Sequence, residues 1–151
     1  MAKILDGTAL AKEVRGEVAA GVSEMGRKHG MTPGLAVVLV GDDPASAVYV
    51  RNKGLACTEA GIFSETFLLP SATPEQEVLE LVAKLNRDPR FHGMLVQLPL
   101  PEGMNQHAVT EAVDPAKDVD SIHPYNVGLL VQGRPDFVPG TPAAVQQILL
   151  R

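Results

Sequence analysis

Apolar positions along the chain fall into two alternating patterns. Over residues 8–28, Leu10, Val14, Val18, Val22 and Met25 recur every three or four positions among Ala, Glu and Lys, and Gly30 stands just beyond, which predicts a long amphipathic helix ended by glycine. Residues 35–40 form instead an unbroken apolar run between Pro33-Gly34 and Gly41. Such a run reads as a strand covered on both faces, the kind that belongs to a parallel sheet. The alternation then repeats. Asp43-Pro44 supplies an N-cap and a first-turn proline for a helix running to about residue 60 and stopping at Gly61. Residues 63–69 read as a strand, and 73–85 as a helix with Thr73 and Gln76 in capping-box spacing. Residues 93–97, extending to 98, read as another buried strand. A short helix is expected over 105–113, and 139–151 as a loop entering a helix through Thr141-Pro142. Residues 3–5 are candidates for an edge strand and 124–131 for a short helix. Strand and helix in alternation predict an α/β fold, a three-layer sandwich with a mostly parallel sheet and helices on both faces.

Composition narrows the class. The 151 residues are 45% hydrophobic and 21% charged, ordinary for one globular domain large enough to hold a core without disulfides or a structural metal. The single cysteine, Cys57, excludes a disulfide within the chain, and His29, His92, His107 and His123 show no close ligand spacing, so no metal site is expected. A net charge of −5 with no Lys/Arg run longer than two residues argues against nucleic acid. No apolar stretch approaches the roughly 18 residues of a membrane span, and the amino terminus meets Asp6 and Gly7 before a signal-peptide core builds up. These features point to small-molecule chemistry in the cytoplasm.

Chemistry is expected outside the carboxyl ends of the strands, after Val40 and after Val96. Tyr49 and Lys53 are four apart on one helix face, so both side chains can converge on one ligand; the bland alternative is a solvated helix lysine. Gln97 ends an apolar strand, where its amide must meet a partner or a ligand. Asp118 and Asp120 alternate, so only one of them need face a cleft. Cys57 reads as a small buried hydrophobe rather than a nucleophile. His123 reads first as a hydrogen-bonded loop histidine, with a general acid as the alternative. Prolines 99, 101, 115, 124, 135 and 139 keep much of 98–140 in long loops of the kind that carry function. No G-x-G-x-x-G, P-loop or nucleophile-elbow motif is present.

Residues 43–53 (Asp-Pro-Ala-Ser-Ala-Val-Tyr-Val-Arg-Asn-Lys), 93–101 (Gly-Met-Leu-Val-Gln-Leu-Pro-Leu-Pro) and Lys117-Asp118-Val119-Asp120 closely resemble, in order and spacing, the bifunctional methylenetetrahydrofolate dehydrogenase/methenyltetrahydrofolate cyclohydrolase family. His123-Pro124-Tyr125-Asn126-Val127-Gly128 and Pro139-Gly140-Thr141-Pro142 extend the resemblance over nearly the whole chain. The resemblance implies oxidation of methylenetetrahydrofolate with NADP, then hydrolysis of the methenyl cation to formyltetrahydrofolate, in one-carbon metabolism serving purine biosynthesis. It implies Lys53 as the central catalytic residue of the hydrolytic step, balanced by Gln97, and Tyr49 stacking on the folate. Asp120 becomes the pterin-binding acid, with Leu98 and Pro99 as further substrate contacts. It also implies a homodimer of the full-length enzyme. Residues 1–140 would be the folate-binding catalytic domain and 141–151 the start of a linking helix, with the family's second, Rossmann-type NADP domain absent from this chain. Ser121 stands where the family usually has glycine, and a left-handed backbone there costs serine more. Gly140 and Ala144 also depart from the family pattern. Two readings of other classes stay open: a stand-alone pterin-binding module without turnover, and the substrate domain of an amino-acid dehydrogenase-like enzyme.

Overall fold

The computed structural model describes residues 4–151. Three parallel strands, β1 (Gly34–Val40), β2 (Phe63–Leu69) and β3 (Gly93–Val96), pair in the order β2-β1-β3. Before β1 runs α1 (Gly7–His29), and α2 (Pro44–Ala60) and α3 (Glu75–Arg87) alternate with the strands. After β3 come α4 (Gln106–Glu111), α5 (Pro124–Val131) and α6 (Gly140–Leu150).

The unbroken apolar character of β1 follows from its central place. Ala36, Val38 and Val40 face α3 and α4, packing with Met94 and Val96 of β3 against Val78, Val82, Leu85 and Val109. Val37 and Leu39 point the other way, onto Val50 of α2 and Leu95. Strand alternation thus places one residue set in each of two cores, and helices cover both sheet faces as expected. Each fully buried Val or Leu contributes roughly 1.5–3 kcal/mol. At the entrance to β1 the chain passes so close to the Arg90 carbonyl that a Cβ at Gly34 would collide with backbone, so only glycine fits there.

Helix boundaries obey local chemistry. The Asp43 carboxylate accepts from the Ser46 amide at 2.7 Å, Pro44 sits in the first turn, and left-handed Gly61 closes α2. Asp6 likewise caps α1, accepting from the Thr8 and Ala9 amides, and Gly30 ends it.

Four boundaries differ from the sequence expectation. The capping box of Thr73 and Gln76 does not form: Pro74 holds the cap position of α3, and the Gln76 amide donates to Glu80 one turn on. Strand β3 ends at Val96, although the Gln97 N–H still donates to the Val38 carbonyl of β1 at 2.8 Å. Helix α4 is a shorter element than 105–113, with Asn105 as its cap. Of the expected strand at 3–5, Lys3 lies outside the described residues, and Ile4 and Leu5 are exposed and outside the sheet. The outer edge of β3 is occupied instead by the segment around Asp118, which bridges to Met94 in parallel.

Candidate functional site

A cleft of about 510 Å³ opens beside the carboxyl ends of β1 and β3, lined by Tyr49, Lys53, Gln97, Asp120 and Ile122 and closed by Pro139–Pro142 at the start of α6. Each side chain is delivered by a separate element. Helix α2 carries Tyr49 and Lys53 one turn apart. Gln97 is the first residue beyond β3, and Asp120 lies on the loop that bridges to the outer edge of β3.

Lys53 is half-buried, and its ammonium nitrogen donates to Gln97 Oε1 at 3.1 Å. The Gln97 amide nitrogen donates to the Leu98 carbonyl at 2.8 Å, which fixes the amide so that its oxygen faces the lysine. Lys53 and Gln97 are thus partners, and the Gln97 amide is satisfied on one side by Lys53 and on the other by the Leu98 carbonyl. Tyr49 is 64% exposed and presents an open ring face at the cleft mouth. Leu98 and Pro99 lie outside the cleft lining. The leucine enters the site through its carbonyl, and a cis peptide joins the two residues.

Alternation along the 117–120 stretch separates the two acids. Asp118 is 3% exposed and accepts from the His123 amide and from Asn126 Nδ2, each at 2.9 Å. Asn126 is itself buried and also donates to the Pro115 carbonyl. Lys117 reaches the other way, donating from Nζ to the Leu85 and Asp88 carbonyls at the end of α3. With its neighbours pinned inward, half-buried Asp120 turns onto the cleft. Ser121 then adopts a left-handed backbone, φ 55°, while fully buried, and its hydroxyl donates to the Phe137 carbonyl at 3.1 Å.

The residues set aside in the sequence fall outside the cleft. Cys57 is buried on the far half of α2, and burial pushes its thiol up, away from the thiolate a nucleophile needs. His123 is the N-cap of α5, its Nδ1 accepting from the Tyr125 amide. Among the described residues no three His, Cys, Asp or Glu side chains gather to hold a metal, and no helix is long and apolar enough to cross a membrane. Sequence reasoning missed Ile122 and the Pro139–Pro142 wall. The two prolines of that wall were the available signal, since they mark a loop feeding a helix.

Comparison with known proteins gives a consistent result. Residues 5–120 match the family model described as tetrahydrofolate dehydrogenase/cyclohydrolase, catalytic domain. The bifunctional protein FolD of Geotalea daltonii is 55% identical over 149 residues, which is 99% of this chain and 53% of that protein. Among solved structures, the bifunctional FolD enzyme of Campylobacter jejuni superposes with a TM-score of 0.93 at 41% identity, covering 97% of this chain and 52% of that one. The methylenetetrahydrofolate dehydrogenase-cyclohydrolase of Trypanosoma brucei, described as complexed with NADP cofactor and inhibitor, superposes with a TM-score of 0.93 at 33% identity, covering 98% and 51%. The chain spans about half the length of the curated relatives it matches.

Proposed function

This chain belongs to the tetrahydrofolate dehydrogenase/cyclohydrolase family through its catalytic domain, and on that premise we propose that it is the folate-binding half of an enzyme that oxidises methylenetetrahydrofolate and hydrolyses methenyltetrahydrofolate to formyltetrahydrofolate. The observation that carries this reading is the cleft in which Lys53, Gln97, Tyr49 and Asp120 converge, with Lys53 and Gln97 joined at 3.1 Å.

The chemistry of each group supports its role. A reduced pterin presents a flat heterocycle with amino and amide donors along one edge. Tyr49 offers an aromatic face to the ring system, and the Asp120 carboxylate accepts from those donors. The methenyl substrate is a cation. Lys53, as the free amine, is the group placed to take a proton from the attacking water. Gln97 holds that nitrogen in place through Oε1 without adding a charge of its own.

Residues of this chain do not fit a nicotinamide dinucleotide. The turn after β1 places Asp42 and Asp43 at the start of α2, where a phosphate-binding loop would need glycine and free amides, and the Asp43 carboxylate already engages the Ser46 amide. NADP belongs in this proposal to residues outside those of this chain. Residues 1–140 form the catalytic domain and 141–151 begin the link to the rest of the enzyme. The same reading carries a cytoplasmic homodimer serving purine biosynthesis, with sedimentation as the check on its assembly.

Replacing Lys53 tests the hydrolytic role. Lys53→Met is expected to lower hydrolysis of methenyltetrahydrofolate by at least about 100-fold, the range of a lost general base. Binding of 5-formyltetrahydrofolate should shift by no more than a few-fold, because the other contacts remain. Wild-type turnover in this variant would remove the lysine from the mechanism. Binding by the unmodified chain with no hydrolysis would favour a module that holds folate without turning it over.

A further inference from the structure

The two walls of the cleft belong to segments about 20 residues apart in sequence, 120–122 and 139–142, and they need a device to hold them at a fixed separation. The first wall is anchored to the body of the domain by Lys117 and Asp118. The second is the turn into α6, whose cap residue Pro139 makes no side-chain cap bond. Ser121 lies in the first segment, between Asp120 and Ile122. Its hydroxyl donates to the carbonyl of Phe137, two residues before the second wall begins.

Two features show that this residue is constrained from both sides. Ser121 holds φ 55°, a region that serine enters at a cost that glycine escapes, and it is 1% exposed. The surrounding structure therefore selects a conformation against local preference, and in that conformation the hydroxyl reaches the neighbouring segment. A glycine would satisfy the backbone but could not make the bond.

We infer that Ser121 is a positioning residue that ties the Asp120 wall to the 139–142 wall and so sets the width of the substrate cleft. It touches no reacting atom. Its effect passes through Asp120 and Ile122 on one side and Pro139–Pro142 on the other. The ligand part of this inference rests on the folate reading above, whereas the tie between the walls stands on geometry alone.

The test uses Ser121→Gly and Ser121→Ala in the full chain, with three measurements: thermal midpoint, amide exchange over residues 137–143, and affinity for 5-formyltetrahydrofolate. Ser121→Gly removes the hydroxyl while relieving the backbone, so its midpoint is expected to equal or exceed that of the wild type. Exchange over 137–143 should nevertheless rise, and affinity should fall, each by about ten-fold, equivalent to about 1.4 kcal/mol. Ser121→Ala keeps the backbone cost, so it should show the same exchange and affinity changes with a lower midpoint as well. A merely structural serine would move affinity only in step with the midpoint. Wild-type exchange in Ser121→Gly would overturn the tie, and faster exchange with unchanged affinity would overturn the positioning role. Faster exchange in the variants, with no binding even by the wild type, would uphold the tie and refute the folate reading.

Discussion

Asp118 and Asp120 stand two positions apart on one extended stretch, yet the first is buried under Asn126 and the His123 amide while the second lines the cleft. Their substitutions should therefore report different things. Asp118→Ala leaves the His123 N–H without its acceptor inside the protein and takes one of two acceptors from the Asn126 amide, which keeps the Pro115 carbonyl, at a cost of about 1–3 kcal/mol for each unsatisfied N–H, so it should lower stability steeply in denaturant titration. Asp120→Ala should leave stability near that of the wild type and weaken 5-formyltetrahydrofolate by about 10- to 100-fold, the range for hydrogen bonds to a charged acceptor. The reverse outcome, a stable Asp118 variant and an unstable Asp120 variant with normal affinity, would show that the structure assigns the two acids wrongly. The alternation along the stretch had shown only that one of the pair need face a cleft. Which one was decided by Asn126, eight residues on, and no spacing within residues 117–120 contains that information.

At the scale of elements, α2 does more than cover a sheet face, because its first three turns bring Tyr49 and Lys53 to the cleft. Its start is held by Asp43, whose carboxyl lies below the usual carboxylate range because the Ser46 amide donates to it. A carboxyl depressed in the folded state contributes stability that is complete above its unfolded value, about pH 4, and that is lost as pH falls through the lower folded value. Asp43→Ala should accordingly lower the thermal midpoint by a few degrees at neutral pH, with the gap to the wild type closing below about pH 4. A gap that widened toward low pH would mean that the carboxylate does not cap the helix. This cap was readable from Asp43-Pro44 alone, since capping is a contact between residues three apart. The cap of α3 was not, because Pro74 took the position that Thr73 and Gln76 would have set between them.

For the whole molecule, one parallel sheet carries helices on both faces, with a single cleft uniting the sequence-selected polar groups at its carboxyl end. α6 extends this body by resting against α1: Ile148 approaches Gly7, and Arg151 pairs with Glu13 and Glu17, which holds the Glu17 carboxyl below its ordinary range. Val145, Leu149 and Leu150 on the same helix are exposed. On the function proposed above, the cleft takes the pterin and the acidic turn after β1 takes no pyrophosphate. Calorimetric titration of this chain should therefore find saturable binding of 5-formyltetrahydrofolate and no saturable binding of NADP. Micromolar NADP binding would contradict the reading of the β1–α2 turn.

The sequence by itself determined the order and type of nearly every element, the buried parallel character of β1 and β3, the shared helix face of Tyr49 and Lys53, and the resemblance that points to folate chemistry. These are matters of local periodicity, capping and motif order, and they act over a few residues at a time. The resemblance already implied that Gln97 would balance Lys53 and that Asp120 would meet the pterin; the tertiary structure supplied the contact itself, across 44 positions, and the burial that keeps Asp118 out of the cleft. It also decided that Pro139–Pro142 would close the site and that Ser121 would bend into a left-handed conformation to reach Phe137. Each of these depends on how separate elements pack around a common sheet, and a pairing between distant segments is selected by the fit of the whole core rather than by any pattern within either segment.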